Sequence, residues 1–167
     1  IRGESGKDSL DILRGAKIVA RGSKTKPIIM TSASDDGTLA ADAQAQWGGL
    51  QIMGKATQNC TDAEKNSEGI CERSVEGFDA GDVKYGGNDD NDDSGVLSYV
   101  VIKYAGYAFT SENELNGLAL YTVGDGTEIN HIRVHNSKDD GIEIFGGTVN
   151  LCLLYTSPSP RDYHGSR

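Results

Sequence analysis

Leu97-Ser98-Tyr99-Val100-Val101-Ile102-Lys103-Tyr104 lies over Ile129-Asn130-His131-Ile132-Arg133-Val134-His135-Asn136 at an offset of 32 residues, with apolar side chains meeting at the first, fourth and sixth places. A second pair, Asn116-Gly117-Leu118-Ala119-Leu120-Tyr121 and Asp140-Gly141-Ile142-Glu143-Ile144-Phe145, repeats at an offset of 24, and Gly126-Thr127-Glu128-Ile129-Asn130 echoes in Gly147-Thr148-Val149-Asn150. Upstream, Trp47-Gly48-Gly49-Leu50-Gln51-Ile52 opens a strand of the same Gly-Leu-x-Ile type. Gly15-Ala16-Lys17-Ile18-Val19-Ala20 and Pro27-Ile28-Ile29-Met30 suggest one before it. Short alternating segments that recur without intervening helical periodicity describe a chain coiling into a parallel β-solenoid. A sandwich would need hairpins between neighbouring strands, whereas these segments repeat in parallel register. Strands are therefore predicted over 97–104, 116–121, 129–135 and 142–145, the repeat-matched ones parallel.

Strand side chains alternate between faces. With Val100, Ile132, Ile102 and Val134 turned inward, Tyr99/His131, Val101/Arg133 and Lys103/His135 become outward ladders. With Leu118, Ile142, Leu120 and Ile144 inward, Ala119/Glu143 and Tyr121/Phe145 face out. Function would reside on those ladders and in the turns. Trp47, followed by two glycines, reads as a packing residue at a bend.

The chain carries 25 acidic against 16 basic residues, a net charge of −9, which repels the phosphate backbones that clustered Lys and Arg would bind. Nucleic acid is excluded as a partner on that ground, and no apolar run has the length of a membrane-spanning helix. Cys60 and Cys71 bracket a polar stretch with no other means of holding itself, and a disulfide closing it would place the protein outside the reducing cytosol. Two cysteines without a nearby histidine lack a metal ligand set.

Residues 152–167, from Cys152 to Arg167, follow one reading frame of a transposase-based sequencing adapter and are read as translated adapter, not as native protein. The native part is then 1–151, a partial β-helix domain with a loop excursion at about 57–95, truncated at both ends. Leu151–Tyr155 can mimic one more strand by accident. Pro158 and Pro160 cannot sustain a ladder beyond it.

Trp47-Gly48-Gly49-Leu50, Tyr85-Gly86-Gly87, Ser94-Gly95-Val96-Leu97-Ser98-Tyr99-Val100, Tyr104-Ala105-Gly106, Glu114 with Asn116-Gly117-Leu118, and Asp139-Asp140-Gly141-Ile142-Glu143-Ile144-Phe145-Gly146-Gly147-Thr148-Val149-Asn150 form an ordered set over about residues 10–151. The set resembles a family of secreted, surface-associated bacterial right-handed parallel β-helix proteins. The resemblance implies an all-β solenoid of the pectate-lyase-like superfold that is extracellular, on the cell surface or periplasmic. It implies no particular activity.

Candidate chemistry falls in three places. The loop Asn88-Asp89-Asp90-Asn91-Asp92-Asp93-Ser94-Gly95 offers Asp90, Asp92, Asp93 and Ser94 as oxygen ligands for calcium, imitating the start of a calcium loop. The twelfth position is Val101, where a bidentate Glu would be needed, so a solvated acidic turn is the competing reading. Asp139, Asp140 and Glu143 resemble the paired acids of polygalacturonase-type β-helix glycosidases. They also resemble the calcium-binding acids of pectate-lyase-type enzymes, for which Arg133 would be the base. Asp before Gly is also ordinary turn chemistry. Tyr99, Tyr121 and Phe145 could stack on sugar rings or cover a flank beneath a loop. His131 and His135 lack a third metal ligand and read as ladder residues.

Two classes of function follow. One is a non-catalytic surface or glycan-binding module, with calcium as a stabilising cofactor. The other is a polysaccharide lyase or glycoside hydrolase built on the acids at 139–143.

Overall fold

A computed structural model of the chain describes residues 1–4, 6–75, 78, 83–110 and 113–156. After β1 (Arg2–Gly3), a first coil holds β2 (Ser9–Ile12), β3 (Ile18–Arg21) and β4 (Ile28–Ser32); a second opens with β5 (Gly49–Met53). The chain then leaves the solenoid through a 3₁₀ turn at Asp62–Glu64 and the antiparallel pair β6 (Arg73–Ser74) and β7 (Lys84–Tyr85), returning at β8 (Gly95–Lys103). A small antiparallel pair, β9 (Ala108–Thr110) and β10 (Asn113–Glu114), precedes the third coil, β11 (Leu118–Val123) and β12 (Glu128–His135). The fourth is β13 (Ile142–Gly147) and β14 (Asn150–Thr156).

Coil-to-coil pairing is parallel throughout. One sheet runs β13-β11-β5-β2; the other runs β1-β4-β8-β12-β14, with β3 also on β8. The register reproduces both offsets, Leu97 with Ile129 and Leu118 with Ile142. The echo at Gly147 is displaced, because Glu128 pairs with Asn150 and Ile129 with Leu151. The four predicted segments are all strands or lie largely within one. The strand at β2, which periodicity missed, has only four residues and one apolar alternation.

Two apolar ladders of the first sheet, Leu10-Leu50-Leu118-Ile142 and Ile12-Ile52-Leu120-Ile144, face Leu97, Val100, Ile102, Ile129, Ile132 and Val134 of the second across a shared core. Trp47 seals one corner and donates its indole N–H to the Lys103 carbonyl at 2.7 Å. Ile144, the last rung of its ladder among the described residues, is 52% exposed, so the inward position does not amount to burial there.

The second sheet bends sharply at one level. Tyr99, His131 and Leu153 occupy the left-handed region with φ of 50°, 52° and 55°, stacked in three successive coils. The bend uses one residue without alternation, which is why Leu97 and Val100, three apart, both face the core. β3 pairs with the half of β8 before the bend and β4 with the half after it; in the first coil, residues 22–27 take the corner's place. Tyr99 and His131 lie ring on ring there, with centroids 4.1 Å apart, and the Ser98 hydroxyl donates to Asn130 Oδ1 at 2.7 Å.

β14 includes Cys152–Thr156, so the part of the tail that is described occupies a coil position. The expectation for residues 157–167 lies outside the described residues.

Where the excursion rejoins the solenoid, Gly95 has φ +107°, and a Cβ there would fall 1.9 Å from the Ile18 carbonyl oxygen. Gly37 has a similar φ, +93°, but open space around it. Gly95→Ala should destabilise by more than about 2 kcal/mol and Gly37→Ala by about 1 kcal/mol, the cost of the left-handed backbone alone. Urea midpoints of the two variants test this. Equal losses would mean that the close approach at Gly95 contributes nothing.

Candidate functional site

The Leu-x-Ile columns of the first sheet place Asp11, Gln51, Ala119 and Glu143 in one row across four coils, on the face away from the core. Gln51 is fully buried, its amide donating to the Gly48 carbonyl at 3.3 Å. Asn116, 1% exposed, donates its amide to Glu143 Oε2. The Asp11 carboxylate accepts from the Ser9 hydroxyl at 3.0 Å, and burial pushes its pKa upward, the Ser9 bond opposing this only in part. Sequence reading missed Asp11 and Gln51 because β2 had not been recognised. Once Leu10-Asp11-Ile12 is set under Leu50-Gln51-Ile52, the row is legible.

The acids proposed for catalysis do not assemble with their partner. Asp139 and Asp140 lie in the turn before β13, where the Asp140 carbonyl accepts the Gly117 N–H at 3.0 Å, one coil above Asn116. Glu143 is on the first sheet, whereas Arg133 is on β12 of the second, its guanidinium over the Tyr155 ring at 5.4 Å. Asp11 and Glu143 are three strand spacings apart, about 14 Å, beyond the roughly 5–9.5 Å that separates paired glycosidase carboxyls.

The three aromatics do not share a surface. Tyr99 stacks on His131 at the corner of the second sheet, whereas Tyr121 is 1% exposed beneath the excursion, packed with Met53, Val75 and Tyr85. Tyr121 therefore covers a flank and offers no open face to a ligand. Phe145 stacks on Tyr121, centroids 4.5 Å apart and planes 6° from parallel, and remains partly accessible.

Phe145 lines a pocket of about 230 Å³ together with Gln58, Asn59, Arg73, Tyr85 and Gly146. The Cys60–Cys71 disulfide holds its wall, with Cα atoms 6.2 Å apart, within the reach that the sequence reading required. Beside the bridge, Gln58 donates to the Cys71 carbonyl at 3.3 Å, and Arg73 donates to Glu64 at 3.1 Å.

The acidic loop acts as a clasp. Asp90 Oδ1 accepts from the Thr57 N–H and hydroxyl at 2.9 and 2.7 Å; Asp92 Oδ2 accepts from the Lys55 N–H and the Ser94 hydroxyl at 3.2 and 3.3 Å. Asp93 accepts from Gly95 N–H at 2.8 Å and from Lys17 at 2.5 Å. The Asp90 carbonyl also accepts from Asp125 and Thr148. Donors of four coils, Lys17, then Lys55 and Thr57, then Asp125, then Thr148, thus converge on one loop. Among the described residues, no three His, Cys, Asp or Glu side chains form a metal-binding group. Of the calcium candidates, Asp90, Asp92 and Asp93 each accept from these protein donors, and the Ser94 hydroxyl is itself a donor to Asp92.

A family model described as "Pectate-lyase like beta helix domain" matches residues 2–162. No curated protein and no solved structure gives a significant match.

Asp11 and Asp90 should respond to pH in opposite senses. The Thr57 bonds hold Asp90 below its ordinary value, so its contribution is present at neutral pH and is lost as pH falls through the lowered value. The raised carboxyl of Asp11 binds its proton more tightly when folded, so stability falls as pH rises from the ordinary value of 3.8 through the raised one. Asp11→Asn should therefore raise the Tm at pH 7 and leave it little changed at pH 3, whereas Asp90→Asn should lower the Tm at pH 7. Thermal scans at both pH values check this, and a lower Tm for Asp11→Asn at pH 7 would contradict the assignment.

Proposed function

The chain belongs to the pectate-lyase-like β-helix domain family, and we propose that it serves there as a non-catalytic glycan-binding module in an extracytoplasmic compartment. The observation that carries the reading is the Phe145 pocket. A sugar presents an apolar face of C–H groups and a rim of hydroxyls, and it is recognised by an aromatic ring flanked by planar hydrogen-bonding groups. Phe145 supplies the ring, Gln58 and Asn59 the amides, and Arg73 the guanidinium. Stacking on Tyr121 fixes the ring, and the disulfide fixes the opposite wall, so little side-chain entropy remains to be lost on binding.

The disulfide also supports an oxidising location. Among the described residues no helix is long and apolar enough to cross a membrane. Calcium is left out of the proposal because the acidic loop is already clasped by protein donors.

The catalytic alternative rests on Glu143, a carboxylate oriented by buried Asn116 on the outer row. Its weakness is the separation from Arg133 and Asp11 described above.

Phe145→Ala and Gln58→Ala should each weaken binding of a neutral oligosaccharide at least about tenfold, the loss expected when one stacking or buried polar contact is removed. Calorimetry against a panel of soluble oligosaccharides, with incubation to detect cleavage, distinguishes the two readings. Bond cleavage abolished by Glu143→Gln would replace the module with the enzyme, and binding indifferent to Phe145 would remove the pocket.

A further inference from the structure

On the outer face of the second sheet, past the corner, lies a groove of about 280 Å³ lined by Val101, Lys103, Tyr104, Arg133 and His135. It gathers two permanent cations and an imidazole within two coils of a chain whose net charge is −9. Register explains the arrangement. Val101 pairs with Arg133 and Lys103 with His135, and parallel in-register strands stack like positions directly, so basic groups two apart on β12 meet a third on β8. The Lys103 ammonium is braced by Asp35 at 2.6 Å, a carboxylate that is itself largely buried, and sits 4.7 Å from the Tyr104 ring centre. His135 meets the Tyr104 ring edge-on, with centroids 5.6 Å apart.

We propose that this groove is an oxyanion site, in which Arg133 grips a sulfate or phosphate group, free or carried on a polymer, with His135 as a second, proton-dependent donor. Three observations support it independently of the Phe145 pocket. A guanidinium presents paired N–H donors matched to an oxyanion's two oxygens. Among the described residues Arg133 makes no ion pair: its neighbours across the strands are Val101 and Tyr155, and the guanidinium lies over the Tyr155 ring at 5.4 Å, a contact that brings no carboxylate to neutralise its charge. Lys103 is held in place by Asp35 and contributes field more than contact. Groups that face His135 include Arg133 on its own strand and Lys103 and Tyr104 from the second coil, with Asp35 paired to Lys103. Burial first, and then the charges of Arg133 and Lys103, hold His135 below its ordinary pKa. An anion in the groove opposes the two cations, raises the His135 value and is bound more tightly as pH falls.

The test is a titration of the full chain with sodium sulfate, and separately with sodium phosphate, followed by the imidazole NMR resonances, with chloride exchanged to hold ionic strength constant. Saturable shifts of His135, a higher His135 titration midpoint at saturation and affinity at least tenfold greater at pH 5.5 than at pH 7.5 are expected. Arg133→Ala should weaken binding at least tenfold and Arg133→Lys less. Arg73→Ala, at the other pocket, should have no effect. Arg133 is exposed, so the variants should fold, and circular dichroism verifies that they do. Repeating the titration with a sulfated oligosaccharide separates a polymer-borne group from the free ion: tighter binding by the oligosaccharide assigns the site to polymers, and equal binding assigns it to the ion. Shifts that match those in chloride alone, affinity unchanged in Arg133→Ala, or affinity independent of pH would each overturn the proposal.

Discussion

Parallel in-register stacking of coils is the constraint on which everything else depends. Each coil hydrogen-bonds to its neighbours through the backbone, so a residue can face the core only if its counterparts above and below do so as well. The corner is the clearest case. Tyr99 and Leu153 are not residues that favour left-handed backbone, yet both adopt it in line with His131, because a bend in one coil must be matched in the next or the ladder between them breaks. The strain of one residue is thereby shared by a column. Ring stacking of Tyr99 on His131 and the Ser98–Asn130 hydrogen bond offset part of it.

The same constraint decides where irregular structure can go. The excursion leaves after β5 and returns at β8, within one coil, so the first sheet keeps its regular pairing of β5 with β11. What the excursion adds is a cover for one outward column, Met53 and Tyr121, and a disulfide-braced wall beside Phe145. Its acidic return loop ties together lysine and threonine donors from successive coils. The carboxylates of Asp90, Asp92 and Asp93, which composition offers as cation ligands, accept hydrogen bonds from the backbone N–H groups of Thr57, Lys55 and Gly95.

Polar groups on the first sheet follow a different rule from those on the second. Gln51 and Asn116 are buried among strands and donate to Gly48 and Glu143, while their amide oxygens accept no hydrogen bond. Arg133 is exposed and His135 half-buried on a face that the described residues leave open. The two faces belong to the same coils but look in different directions, so Glu143 and Arg133 lie on different sheets.

How much was legible can be traced to particular residues. The offsets of 32 and 24 were enough for the fold and register, since backbone stacking translates a sequence period directly into neighbours, and the spacing of Cys60 and Cys71 was enough for the bridge. β2 escaped because four residues carry too little alternation to stand above background. Site residues were legible as outward but not as accessible or as companions. Alternation placed Tyr121 and Phe145 in one outward column, yet only the path of the excursion, set by contacts between residues distant in sequence, determined that Tyr121 is buried and Phe145 lines a pocket. Likewise, local pattern put Arg133 and Glu143 outward ten residues apart. The turn between them at residues 136–141, whose course is visible only once the coils are closed, sent them to separate faces. Sequence by itself determined what repeats, because periodicity is local; tertiary structure alone decided what meets, because that depends on how the non-repeating segments fold back.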